Sequence, residues 1–223
     1  MPQQCNSGHQ ICCIASFQAA RPEKKHQEAV ISTSASVTNL LIAGIGRQGI
    51  NSLAKTLARL FYSAGYPCQY TVHKGGAQSL GSVYAEMRIA NGVLPILGPG
   101  IPAGKLDILV ALDPWEALRH LRLAHAGTVC FVETEVMPFF TGRSEVGERE
   151  VANSSPVDSI NQLPLQINWR NYRKDAVELY GTANMANYLA GLDCLTAMNL
   201  DLTDDYKKIF ITTIPKSKGV MHL

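Results

Sequence analysis

Residues Leu40-Leu41-Ile42-Ala43-Gly44 form an unbroken apolar run that stops at a glycine. This is the pattern of a short strand covered on both faces in a parallel sheet. The period then changes: Ile50, Leu53, Ala54, Leu57, Phe61 and Ala64 recur at steps of three and four, with Lys55 and Arg59 between them. That spacing predicts an amphipathic helix over 48–64 that Gly65 ends. Residues 69–73 are rich in β-formers and predict a second strand. From 82 to 90, Val83, Ala85, Met87 and Ile89 alternate with Ser82, Tyr84, Glu86 and Arg88, as in a strand with one wetter face. A turn-rich stretch, 98–104, leads to two further buried strands, 107–112 and 127–132. Between them Asp113 can cap a helix, Pro114 suits its first position, and Glu116 completes a capping-box spacing ahead of Leu118 and Leu121.

Residues 135–164 mix Gly, Pro, Ser and charge without a period, which predicts an excursion from the sheet of the functional or interfacial kind. Beyond it, Met185, Tyr188, Leu189, Leu192, Leu195 and Met198 fall on one helical face and read as core, and 204–211 predicts a last helix. Strands and helices alternating over short links predict an α/β fold. The expected form is a doubly wound, mostly parallel sheet with helices on both faces, Rossmann-like in three layers.

With 223 residues and 46% hydrophobic content, the chain is sized for one packed domain, expected over 37–223. Residues 1–36, rich in Gln, Ser, Cys and Ala, read as a flexible leader without the charge and hydropathy order of a signal peptide. Net charge is +2, with 20 basic and 18 acidic side chains scattered along the chain, which argues against a nucleic-acid partner. No apolar run nears the ~20 residues that span a bilayer. The six cysteines show no metal-binding spacing. Cys68 and Cys130 in predicted strands and Cys194 in a predicted helix read as buried free thiols, which places the chain in a reducing cytoplasm.

The candidate chemistry lies in two glycine-rich loops. Gly44-Ile45-Gly46-Arg47-Gln48-Gly49 follows the first strand and opens the first helix, so its backbone N–H groups can face an anion. A dinucleotide reading also needs an acid at the end of the second strand for the ribose, and that position reads Thr71-Val72-His73-Lys74. Arg47 and the His73-Lys74 pair would instead suit a 2′-phosphate, so an NAD(P) site stays open beside a plain packing turn. The second loop, Lys74-Gly75-Gly76-Ala77-Gln78-Ser79-Leu80-Gly81-Ser82, offers backbone donors, an amide and a cation, and also a side-chain-poor surface for another subunit. Both loops are expected together at the carboxyl edge of the sheet.

The two loops, Ala64-Gly65-Tyr66, Arg88, Asp113-Pro114-x-Glu116-Ala117-Leu118 and Gly181-x-x-Asn184-Met185 together resemble the gamma domain of the 2-oxoacid:ferredoxin oxidoreductases. Within that family the likeness is strongest to the small beta-type subunits of the indolepyruvate branch. The resemblance covers the chain from Val37 onward. It implies oxidative decarboxylation of a 2-oxoacid, with thiamine diphosphate, Mg2+ and iron–sulfur clusters in a larger partner subunit, coenzyme A as acyl acceptor and ferredoxin as eventual electron acceptor. This chain has neither a G-D-G motif nor a cysteine run for a cluster, so the resemblance implies a subunit that is inert alone and binds no cofactor unaided.

The contact residues it implies are Gly44, Gly46, Arg47, Gln48, Gly49, Lys74, Gly75, Gly76, Gln78, Ser79, Gly81 and Ser82. The side chains of Gln48, Lys74 and Gln78 would meet an anion or the partner's backbone; His73 is the one candidate for acid–base work, against a structural role at a strand end. Arg47 stands where the family motif G-x-G-G-Q-G has its third glycine. Lys74 replaces a histidine, and Ser79-Leu80 replace Arg-Gly. These departures leave indolepyruvate, pyruvate, 2-oxoglutarate and aryl glyoxylates open as substrates. A stand-alone NAD(P) oxidoreductase and a purely protein-binding module are the rival classes.

Overall fold

The computed structural model describes residues 36–75, 81–92, 96, 98–137, 155–198, 200, 208 and 210. All of them belong to the compact unit Thr33–Leu223. The stretch read as a leader lies outside the described residues except for Ser36, which opens the first strand.

The elements run β1 (Ser36–Ile45), α1 (Ile50–Ser63), β2 (Cys68–Lys74), β3 (Ser82–Asn91), β4 (Leu106–Ala111), α2 (Pro114–His120), β5 (Ala124–Glu133), α3 (Pro156–Asn161), β6 (Gln166–Arg170), α4 (Tyr172–Tyr180) and α5 (Ala186–Ala197). They build a six-stranded sheet ordered β2-β3-β1-β4-β5-β6. β1, β4, β5 and β6 pair in parallel, and β3 runs against both β1 and β2. Only the link 75–81 joins β2 to β3, too short to return a chain for parallel pairing, so the two form a hairpin. β3 thereby enters the sheet between β2 and β1. Its wetter face is as expected: Ala85, Met87 and Ile89 are fully buried, while Tyr84, Glu86 and Arg88 are half-buried.

Alternation along the central strands sorts the core into two layers. Leu40 and Ile42 of β1, with Ile108 and Val110 of β4, face Leu53, Leu57 and Phe61 of α1 and Leu189 and Cys194 of α5. Leu41 and Ala43, with Leu109 and Ala111, face Ala117 of α2 and Ile160 of α3. Each large apolar side chain buried in these layers contributes about 1.5–3 kcal/mol. Helices therefore cover both faces of a mostly parallel sheet, the expected three-layer α/β class.

Four elements depart from the sequence reading. The stretch 135–164, expected to be irregular, contains α3. β6 and α4 were not anticipated, because only Tyr172 and Ala176 of α4 are buried while Val177 and Leu179 are exposed, which hides the helical period. α5 is not one-faced: Ala186 to Gly191, Cys194 and Leu195 are buried, so it is covered nearly all round. A Cβ on its Gly191 would lie 2.6 Å from Leu53 Cδ1 and 2.9 Å from Phe210 Cζ, so glycine permits this close packing. Lys208 and Phe210 are helical, and the rest of the predicted last helix lies outside the described residues.

Candidate functional site

The carboxyl edge of the sheet gathers the ends of β1, β2, β4, β5 and β6 and the start of β3. Ile45 is in register with Ser82, and His73 and Lys74 with Tyr84 and Val83. The Gly46 N–H donates to Gly81 O at 2.8 Å, and the Gly75 N–H donates to Ser82 O at 2.7 Å. Hence the two glycine loops meet through backbone at one rim. Lys74 and Gly75 are exposed there; Gly76, Gln78 and Ser79 lie outside the described residues.

The first loop owes its shape to Gln48 and Asn187. The Ile45 N–H donates to Gln48 Oε1 at 2.7 Å, and Gln48 Nε2 donates to Leu112 O at 2.8 Å. The amide thus ties the end of β1 to the end of β4. It also lies over Gly44, where a Cβ would come within 2.5 Å of Gln48 Oε1. Gly49 takes the left-handed conformation, with φ of 76°, at the N-cap of α1. A Cβ there would stand 2.5 Å from Nδ2 of the buried Asn187, which donates to Gly49 O at 3.1 Å. No described side chain caps α1, and the donors of its first turn face the rim. Arg47 is exposed and is the one non-glycine among the described residues with positive φ, at 77°.

α2 closes the rim from the far side of the sheet. Asp113 accepts from Trp115 N at 2.9 Å and Glu116 N at 3.4 Å, and its other oxygen accepts from Met137 N at 3.0 Å. The capping box is half formed: the Glu116 carboxyl turns away from the cap and accepts from Ser82 Oγ at 2.5 Å. Glu116 is fully buried, and that burial raises its pKa, with Asp113 adding and Ser82 and Arg119 opposing. His120, one turn on, packs 4.5 Å from the Tyr84 ring, whose other neighbour is His73, stacked at 4.5 Å. Burial, with Arg122, Arg119 and His73, lowers His120 to about 4. His73 is half-exposed and pairs with Glu86 at 3.0 Å, which fits a structural place at the end of β2.

At the β5–β6 side the charges are spent on one another. Buried Glu133 accepts from Glu135 N and Arg173 N, both at 3.0 Å. Arg170 bonds Asp175 at 2.7 Å and Asp193 at 3.0 Å. Among the described residues no three His, Cys, Asp or Glu side chains converge as a metal site requires. The described thiols Cys68, Cys130 and Cys194 are free; burial pushes Cys68 up to about 11 and Cys130 to about 12. No described helix is long and apolar enough to cross a membrane.

Both loops are legible in the sequence, as are Gln48 as a polar group of the first and Glu116 as an acid of the α2 start; the internal contacts by which Gln48, Glu116 and Asn187 shape the loops are not. The one available signal was Glu116 itself, an acid placed among residues that the helix buries.

Known proteins resemble this chain in sequence or in fold. The chain is 33% identical over 100 residues to indolepyruvate oxidoreductase subunit IorB of Pyrococcus horikoshii, covering 45% of this chain and 48% of that subunit. It thus spans about half the length of the curated relative it matches. The pyruvate oxidoreductase subunit PORC of Thermotoga maritima superposes with a TM-score of 0.58 at 14% identity, over 80% of this chain and 85% of that one. A 2-oxoglutarate:ferredoxin oxidoreductase from Magnetococcus marinus, solved with 2-oxoglutarate, coenzyme A and succinyl-CoA bound, gives a TM-score of 0.56 at 14% identity, over 79% of this chain and 27% of that one. At such identities the superpositions speak for the fold alone. The family description "pyruvate ferredoxin/flavodoxin oxidoreductase" matches residues 39–209, through both glycine loops and on past α5, and the chain belongs to that family.

Proposed function

We propose that this chain is the small subunit of a 2-oxoacid:ferredoxin oxidoreductase. In this reading its glycine rim lines a cleft completed by a larger subunit that carries thiamine diphosphate, Mg2+ and iron–sulfur clusters. The observation that carries this is the family match over 39–209, which includes both loops. The reaction oxidises a 2-oxoacid and coenzyme A to acyl-CoA, CO2, a proton and two electrons, which pass to ferredoxin. The carbanion and electron chemistry belongs to the partner's cofactors.

What this chain supplies is placement. The first turn of α1 and Lys74 present donors and positive charge to an anionic group, such as a phosphate of coenzyme A or the substrate carboxylate, while the Gly46, Gln48 and Gly75 amides are already bonded within the chain. Gln48 and the Gly46–Gly81 bond hold that rim rigid, which keeps such a group in place. Catalysis needs the partner, and the half-buried and buried thiols suit a reducing cytoplasm. The IorB likeness puts indolepyruvate first among the substrates.

The test is a complex co-expressed with the large subunit and assayed for coenzyme A-dependent viologen reduction with indolepyruvate, pyruvate and 2-oxoglutarate. Turnover with one of them, abolished when this chain is omitted, is expected. Saturable micromolar binding of NADH or NADPH to the isolated chain, with no such turnover, would favour the dinucleotide reading instead.

A further inference from the structure

Three hydrogen bonds meet at the base of the second glycine loop. The Gly75 N–H closes the loop on Ser82 O, the Gly46 N–H joins it to the first loop at Gly81 O, and the Ser82 hydroxyl ties it to α2 by donating to Glu116 Oε2 at 2.5 Å. The first two are backbone bonds that most sequences could make. The third depends on two particular side chains.

Glu116 makes that tie at a cost. Its side chain has no exposed surface, and its second oxygen, Oε1, has no hydrogen-bond partner. Arg119 Nε stands 3.5 Å from Oε1 as an ion pair without hydrogen-bond geometry. On the same helix face one turn on, buried His120 also leaves its Nε2 unpartnered. A buried carboxyl with an orphaned oxygen is less stable than an apolar side chain of similar size. Such breaches of the packing rules are expected where function needs them. Glu116 also closes a ring: Gln48 ties the first loop to Leu112, Leu112 precedes the Asp113 cap, and α2 returns through Glu116 to Ser82 and the second loop.

We infer that Glu116 is a positioning residue: by holding the Ser82 hydroxyl it fixes the base of the second glycine loop at Gly75, Gly81 and Ser82, and through the Gly81 carbonyl the Gly46 end of the first loop. What the cleft binds rests on the proposed function; the positioning does not.

The experiment compares Glu116→Gln, Glu116→Met and Ser82→Ala in the assembled complex. It reads three quantities: viologen reduction with indolepyruvate, pyruvate and 2-oxoglutarate, the thermal midpoint, and hydrogen exchange in peptides containing the Gly46 and Gly75 amides. Glutamine still accepts from Ser82 and should restore turnover to within about 3-fold of wild type. Methionine should keep or raise the thermal midpoint, yet lose at least ~10-fold in kcat/KM and speed exchange at both amides by at least ~10-fold. Ser82→Ala cuts the same bond from the other end and should reproduce that exchange, which keeps the test decisive if the methionine variant misfolds. Unchanged exchange at Gly46 and Gly75 in Ser82→Ala would overturn the inference. So would full turnover per folded complex with Glu116→Met. A wild-type complex that turns over none of the three oxoacids would count against the proposed function, while the exchange measurement still decides the positioning.

Discussion

Arg47 carries a measurable strain. Its φ of 77° places an exposed, β-carbon-bearing residue in the left-handed region, where an L side chain costs about 1–2 kcal/mol. The family motif has glycine at this position, and no described residue bonds the Arg47 guanidinium, so little is lost with the side chain. Glycine removes the strain but gives the unfolded chain more freedom, worth about 0.4–1 kcal/mol in the opposite sense. Arg47→Gly should therefore stabilise by about 0.5–1 kcal/mol, which in a domain of this size raises the melting temperature by about 1–4 °C. Arg47→Ala is the control: it removes the same charge and length but keeps a β-carbon at positive φ, and should stay within about 0.5 kcal/mol of wild type. Urea unfolding followed by circular dichroism measures all three proteins. If the glycine and alanine variants prove equally stable, the strain is absent and the reasoning fails.

Three further outcomes follow from the same geometry. Gln48→Ala leaves Ile45 N and Leu112 O without their side-chain partner and should destabilise by about 2–3 kcal/mol in the same urea assay. Gly49→Ala combines a φ of 76° with a Cβ 2.5 Å from Asn187 Nδ2 and should cost about 2 kcal/mol or more, seen as a lower thermal midpoint. The two buried groups of α2 should pull stability in opposite directions with pH. Burial raises Glu116 above its ordinary 4.5, so the folded state keeps a proton that the unfolded chain releases, and stability falls as pH rises from 4.5. Glu116→Gln should then gain on wild type with rising pH and converge with it in acid. Burial lowers His120 from 6.5 to about 4, so stability falls as pH drops through that window, by about 3 kcal/mol at about 1.4 kcal/mol per pH unit. His120→Phe should flatten that limb in thermal melts taken across it.

The first loop could be read from the chain because glycines directly after an apolar strand run mark a tight turn out of the sheet, the second because its glycines separate two β-rich runs, and the cap of α2 because Asp113 and Pro114 act locally. The sheet order was less legible. Alternation marked the wetter face of β3 but does not name a strand's neighbours, and nothing local says that β3 enters between β2 and β1. The roles of Gln48, Glu116 and Asn187 were hidden for the same reason. Their partners Leu112, Ser82 and Gly49 lie 64, 34 and 138 residues away, contacts that only the folded chain brings together. α5 misled in another way: buried nearly all round, it has no polar face to set off its apolar one.

The most direct test of the subunit assignment is to isolate this chain, tagged, from its native cells under anaerobic conditions, and to analyse what accompanies it by size exclusion, mass spectrometry and thiamine diphosphate assay. A stoichiometric larger companion carrying thiamine diphosphate and iron–sulfur absorbance is the expected result. A chain that elutes alone, free of any thiamine enzyme, would contradict the assignment.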